Sequence, residues 1–145
     1  MSAGVRVFID GASQGNPGPA GIGVAFLRDG DAQPLATLHK YIGETTNNIA
    51  EYTALVYALQ EALIRGFRSL EVCTDSELVA KQVSGQYKVR EAGLQPFFDQ
   101  YLHLKQGFDR LEVRAIPREQ NRLADQLANE AVDERLDRSL KRSAH

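Results

Sequence analysis

Four acids in this sequence have the types and spacing to do chemistry together: Asp10, Glu51, Asp75 and Asp125. Asp10 ends the apolar run VRVFID and Asp75 ends LEVCTD, so two strand-like segments each terminate in a carboxylate. Glu51 shares a helical row with Leu55, Ala58 and Ala62, and Asp125 stands between Ala124 and Ala128. Rows of that kind face protein, where an unpartnered carboxylate is costly. Each acid has a plainer reading: Asp10 starting a turn, Asp75 capping the helix SELVAKQ, Glu51 favouring a helix N-terminus, Asp125 as a solvated helical acid. Their combination favours a shared cation. Hard cations choose oxygen ligands, and two of them about 3.5 to 4 Å apart activate water and stabilise the leaving oxygen of a phosphodiester without a protein nucleophile.

The elements that must position these acids follow from periodicity. VRVFID, GIGVAFLR and ATLHKYIG read as three strands of an antiparallel meander, joined by Gly, Pro and Asp turns. TTNNIAEYTALVYALQEALIRG changes to helical spacing through Tyr52, Val56, Leu59 and Leu63, with Gly66 as a stop. SLEVCTD is a strand, SELVAKQVSG a short helix, LQPFFDQYLHLKQGF a helix and LEVRAIP a strand. NRLADQLANEAVDERL is a closing amphipathic helix that Asn121 can cap, and the basic residues from about 136 to 145 form a tail expected to fray. The stripe Phe97, Phe98, Tyr101 and Leu104 is core rather than a stacking platform. This order implies an α/β fold with one mixed sheet flanked by helices. A helical crossover makes its flanking strands parallel, so Asp10 and Asp75 are expected side by side, about 5 Å apart, where sites form in α/β sheets. At that spacing they repel unless a cation or proton intervenes.

Composition narrows the classes. The 145 residues, 43% of them hydrophobic, suit one domain over 1–145. A net charge of -2 excludes a broad basic face that grips duplexes by charge alone, so nucleic-acid contacts must be local or metal-assisted. Cys73, the single cysteine, lies inside an apolar run and reads as a buried, inert thiol. Neither a leader pattern nor a membrane-length apolar stretch is found, so a cytoplasmic protein away from membranes is expected, and as a monomer.

DGASQGNPGPAG with Asp10, TTNNIAEYTAL with Glu51, TDSELV with Asp75 and NRLADQLANEA with Asp125 together resemble the type 1 ribonuclease H (RNase HI) family, in the family order and across almost the whole chain. The resemblance implies the RNase H-like fold, a five-stranded mixed sheet with its first three strands antiparallel. It implies that Asp10, Glu51, Asp75 and Asp125 bind two Mg2+ or Mn2+ ions. It further implies endonucleolytic hydrolysis of RNA in RNA/DNA hybrids, leaving 5′-phosphate and 3′-hydroxyl ends. Two readings remain beside it: a hybrid- or double-stranded-RNA-binding module with little catalysis, and a broader RNase that also cuts double-stranded RNA.

By the same resemblance Ser13, Gly15 and Asn16 match minor-groove contacts to the hybrid, where reading a 2′-hydroxyl distinguishes RNA from DNA. Thr46 and Asn47 match contacts to the DNA strand, and helix capping is equally good physics for them. Glu77 matches a ribose contact or is a first-turn glutamate favoured by the helix dipole. The basic protrusion of some bacterial members is replaced by SGQYKVREAGLQ, which offers only Lys88 and Arg90 to phosphates. The loop histidine of some members is missing from IPREQN, as in the shorter branch of the family; His39, His103 and His145 lie elsewhere. Arg118, seven residues before Asp125, is either a stand-in that acts as a fixed charge on the scissile phosphate or a surface arginine paired with Glu119 or Glu134.

Overall fold

A computed structural model of the chain describes residues 4–143. In chain order the elements are β1 (Val5–Ser13), β2 (Gly18–Arg28), β3 (Ala36–Thr45), α1 (Asn47–Ile64), β4 (Ser69–Thr74), α2 (Glu77–Val83), α3 (Gln95–Lys105), β5 (Arg110–Ala115) and α4 (Arg122–Ser143). Short 3-10 turns span Ala92–Leu94 and Arg118–Gln120. The strands form one sheet in the order β3-β2-β1-β4-β5. The first three are antiparallel, and β1–β4 and β4–β5 are parallel, as helical crossovers require.

The first hairpin is longer than its glycines suggest. β1 runs on past Asp10 to Ser13, with Ser13 paired to Ala20, so only Gln14–Pro17 is left to turn the chain. Backbone pairing needs no side chain, and Gly11 and Gly21 hold their places in the ladder. Asp10 is therefore inside a strand and starts no turn. What ends near it is the β1–β4 ladder, whose last pair is Ile9 and Thr74.

Side chains alternate across β1. Val5, Val7 and Ile9 join Ile22, Val24 and Phe26 in a core closed by Tyr52, Leu55 and Leu59 of α1, Val72 of β4 and Val79 of α2. Tyr101 of α3 is buried in the same core, with Phe97, Phe98 and Leu104 packed against it. On the other face α4 lies across β2 at backbone distance. A Cβ on Gly23 would meet the Ala124 carbonyl oxygen at 2.1 Å, and one on Gly21 the Ala128 carbonyl oxygen at 2.4 Å. Since Gly23 pairs with Asp10, Asp10 faces the α4 side. Cys73 is fully buried and burial pushes its thiol pKa up, which suits an inert role.

α4 continues to Ser143, through most of the stretch expected to fray. Arg138 reaches Glu134 one turn back at 3.9 Å, and Leu, Lys and Arg are good helix formers. Residues 144 and 145, and with them His145, lie outside the described residues. Among the described residues no helix is long and apolar enough to cross a membrane.

Candidate active site

Three close approaches bring the acids together. Gly11, beside Asp10, lets the first turn of α1 press against β1: a Cβ there would stand 2.2 Å from the Ala50 carbonyl carbon. Glu51 is thereby carried onto the central strand, where its Oε1 accepts the Gly11 N–H at 3.3 Å. The β1–β4 register sets Asp75 next to Asp10, just beyond the last ladder pair. Gly23 admits α4 deeply enough for Asp125 to line the same cleft.

The result is a trio, Asp10, Glu51 and Asp75, each offering a carboxylate oxygen within 4.8 Å of the others. Asp10 and Glu51 are each only 4% exposed. Asp125 stands outside that trio but lines the same cleft. The cleft is about 350 Å³, and Ser13, Asn47, Arg118 and Asn129 complete its polar lining.

Electrostatics follow from crowding like charges in a dry place. Burial, then the charges of Glu51 and Asp75, push the Asp10 carboxyl up to about 10. Burial and the Asp75 charge raise Glu51 to about 7, against hydrogen bonds from Asp10, Gly11 and Thr74. Asp75 is raised by burial as well, opposed by the neighbouring Arg118 guanidinium. Glu51 Oε2 is buried with no hydrogen-bond partner. Three hard oxygen donors at this spacing, one of them orphaned, fit a divalent cation, which would replace the proton that Asp10 otherwise retains.

Several plainer readings give way at this point. Ser76 caps α2 by accepting from Val79 N–H at 3.2 Å, so Asp75 is free of that duty. Arg118 lines the acid cleft, and Glu134 is engaged instead with His39 at 3.2 Å and Arg138. Thr46 does cap α1, accepting from Ile49 N–H at 3.3 Å. Asn47 lines the cleft and donates its N–H to Asn16 Oδ1 at 3.0 Å. Ser13 Oγ donates to the Thr45 carbonyl at 2.9 Å and lies against the Gly15 carbonyl. Gly15 turns the chain at φ 111°. Glu77 opens α2 outside the cleft lining. Lys88 and Arg90 line a separate groove with Tyr87 and Gln82, in a loop with no inserted helix.

Asn121 does not act as the expected cap. It is 1% exposed, and its Nδ2 donates to the Ile9 carbonyl at 2.8 Å, tying the start of α4 to β1. Its Oδ1, the atom a cap would use, accepts from no N–H, and the amide is oriented instead by a tertiary acceptor 112 residues away. Asn129 was not legible as a site residue. Its Nδ2 donates to the Asp125 carbonyl at 2.9 Å and to Asp125 Oδ1 at 3.3 Å, which fixes that carboxylate. The i, i+4 spacing of Asp125 and Asn129 is the one local signal for it.

Comparison with known proteins agrees with this arrangement. A family model described as reverse transcriptase-like matches residues 8–131. The ribonuclease HI of Halobacterium salinarum is 42% identical over 123 residues, 85% of this chain and 61% of that protein. A bifunctional protein of Mycobacterium tuberculosis is 40% identical over 123 residues, 85% of this chain and 34% of that protein. The chain thus spans between about a third and three-fifths of these curated relatives. Among solved structures, RNase H1 of Halobacterium salinarum matches with a TM-score of 0.86 at 41% identity, covering 90% of this chain and 98% of that one. LC11-RNase H1 in complex with an RNA/DNA hybrid matches with a TM-score of 0.85 at 43% identity, covering 91% and 99%.

Proposed function

The chain belongs to the type 1 ribonuclease H family, and from that premise we propose that it is an endonuclease hydrolysing the RNA strand of RNA/DNA hybrids to 5′-phosphate and 3′-hydroxyl ends. One observation carries the reading: three carboxylates within 4.8 Å of one another, one with an orphaned buried oxygen, beside a polar cleft.

Asp10, Glu51, Asp75 and Asp125 would hold two Mg2+ or Mn2+ ions. Bound there, such cations supply Lewis acidity to activate water and to stabilise the leaving oxygen. The chain's own contribution is to keep four acids in place against their repulsion. Arg118 brings a permanent charge beside Asp75, placed to act on the scissile phosphate rather than to move a proton. With Asn16 Oδ1 engaged by Asn47, the Asn16 Nδ2 hydrogens remain for the hybrid's minor groove, alongside Ser13 and the Gly15 backbone. Asn47 and the Thr46 turn would meet the DNA strand, and Glu77 a ribose. Lys88 and Arg90 neutralise phosphates further along the duplex. We assign these tasks to one domain, acting as a monomer in the cytoplasm.

End-labelled RNA/DNA hybrid, double-stranded RNA and double-stranded DNA, each incubated with Mg2+, Mn2+ or chelator, test the proposal. Internal cuts confined to the RNA of the hybrid and abolished by chelator are the expected result. Cuts in double-stranded RNA mean a broader ribonuclease. Tight binding without cuts means a binding module and overturns the catalytic reading.

A further inference from the structure

The β1–β4 ladder stops at Ile9 and Thr74, one residue short of both acids. Beyond that pair the strands' backbone groups take other partners. Ser76 N–H turns to Thr74 Oγ1 at 3.0 Å, and Ile116 N–H, just past β5, reaches the Thr74 carbonyl at 2.8 Å. The Ile9 carbonyl, part of the peptide that leads into Asp10, is taken by Asn121 Nδ2 at 2.8 Å. The Asn121 backbone carbonyl accepts the Asp125 N–H at 3.1 Å.

One residue, 1% exposed, therefore holds the peptide before Asp10 through its side chain and the residue Asp125 through its own backbone. Its Oδ1 has no partner. A buried amide with one unsatisfied atom is a poor choice for stability alone, because desolvation of that atom is not offset. An amide donor aimed at the Ile9 carbonyl, however, ties the entry of α4 to β1 and fixes the distance between them.

From this geometry we infer that Asn121 is a positioning residue that sets the separation of Asp10 from Asp125, and thereby the cation selectivity of the site, an inference that rests on the acids being cation ligands. Mg2+ demands near-ideal octahedral geometry at short distance, whereas Ca2+ accepts longer bonds and variable coordination. Loosening the gap between β1 and the entry of α4 therefore penalises Mg2+ more than Ca2+. Structural support alone has no reason to separate the two ions.

The test is calorimetric titration of the full chain with MgCl2 and, separately, CaCl2, without nucleic acid, for wild type, Asn121→Ala and Asn121→Ser. Serine fits the same space and keeps one donor, so it decides the matter where alanine does not fold. Mg2+ affinity is expected to fall roughly tenfold or more in the variants, the usual cost of losing a group that orients a ligand, while Ca2+ affinity changes by less than about threefold. Equal losses for both ions, or wild-type affinities with only a lower Tm, overturn the inference. Absence of Mg2+ binding by the wild type overturns instead the reading of the acids on which it stands.

Discussion

Gly11 and Ala50 touch backbone to backbone: a Cβ on Gly11 would stand 2.2 Å from the Ala50 carbonyl carbon, 2.4 Å from its oxygen and 2.4 Å from Glu51 N. No rotamer change relieves a clash with backbone, so α1 must move. Gly11→Ala should cost about 1–3 kcal/mol or more, the usual range for overpacking. It should also weaken Mg2+ binding, because Glu51 moves with the helix. Denaturant unfolding and Mg2+ titration check both; unchanged Mg2+ affinity would mean that α1 tilts about Glu51 rather than carrying it away.

The acids predict an inverted pH dependence of stability for the metal-free protein. Asp10 is raised from about 4 in the unfolded chain to about 10, so between those values the folded state holds a proton that the unfolded state has released. Stability is then full below about pH 4 and declines as pH rises toward 10. Metal-free Tm should be higher at pH 5 than at pH 8. Asp10→Asn should flatten that slope and raise Tm at pH 8 by several degrees, at about 3 °C per kcal/mol. Asp75→Asn should act in the same direction, and both variants should lose Mg2+-dependent cleavage. Saturating Mg2+ should restore Tm in the wild type alone. Full cleavage by either variant would contradict the assignment of the acids.

Arg118 faces Asp75 from the 3-10 turn before α4. Arg118→Ala should lower single-turnover cleavage by roughly 10- to 1000-fold, the range for losing one electrostatic stabiliser. Mg2+ affinity should be little changed, and the wild-type rate profile should lack a histidine inflection, since no histidine lines the cleft. Unchanged turnover would return Arg118 to an ordinary surface role.

Lys88 and Arg90 lie apart from the acid cleft, so their effects should be confined to binding. Lys88→Ala or Arg90→Ala should weaken hybrid affinity and lower the slope of log affinity against log salt by about 0.9 for each lost phosphate contact. Single-turnover rates at saturation should stay at the wild-type level. A loss confined to the chemical step would place these residues in the machinery instead.

Much of this was legible along the chain because it is local or periodic. The row Glu51, Leu55, Ala58 and Ala62 is buried as its spacing requires, and the parallel pairing of β1 with β4 follows from the helix between them. The four acids declared themselves as carboxylates on faces that should be dry. What stayed hidden depends on partners far away in sequence. Asn121 has the composition and place of a helix cap, and nothing nearby reveals that Ile9 will claim its amide. Gly21 and Gly23 read only as part of the strand GIGVAFLR until α4 is laid over them. The extension of β1 past Asp10 was masked because glycine carries no strand signal even where it keeps ladder register.

β2 contributes no ligand, yet α4 meets it at Gly23 and Gly21 as bare backbone against bare backbone. Such a contact has no adjustable part: neighbouring side chains cannot be exchanged to restore its depth. In a saturation screen for loss of nuclease function, these two glycines should therefore score alongside the acids, and second-site suppressors should be scarce within β2 and α4. Codons that look catalytic by intolerance would encode only an absence of atoms.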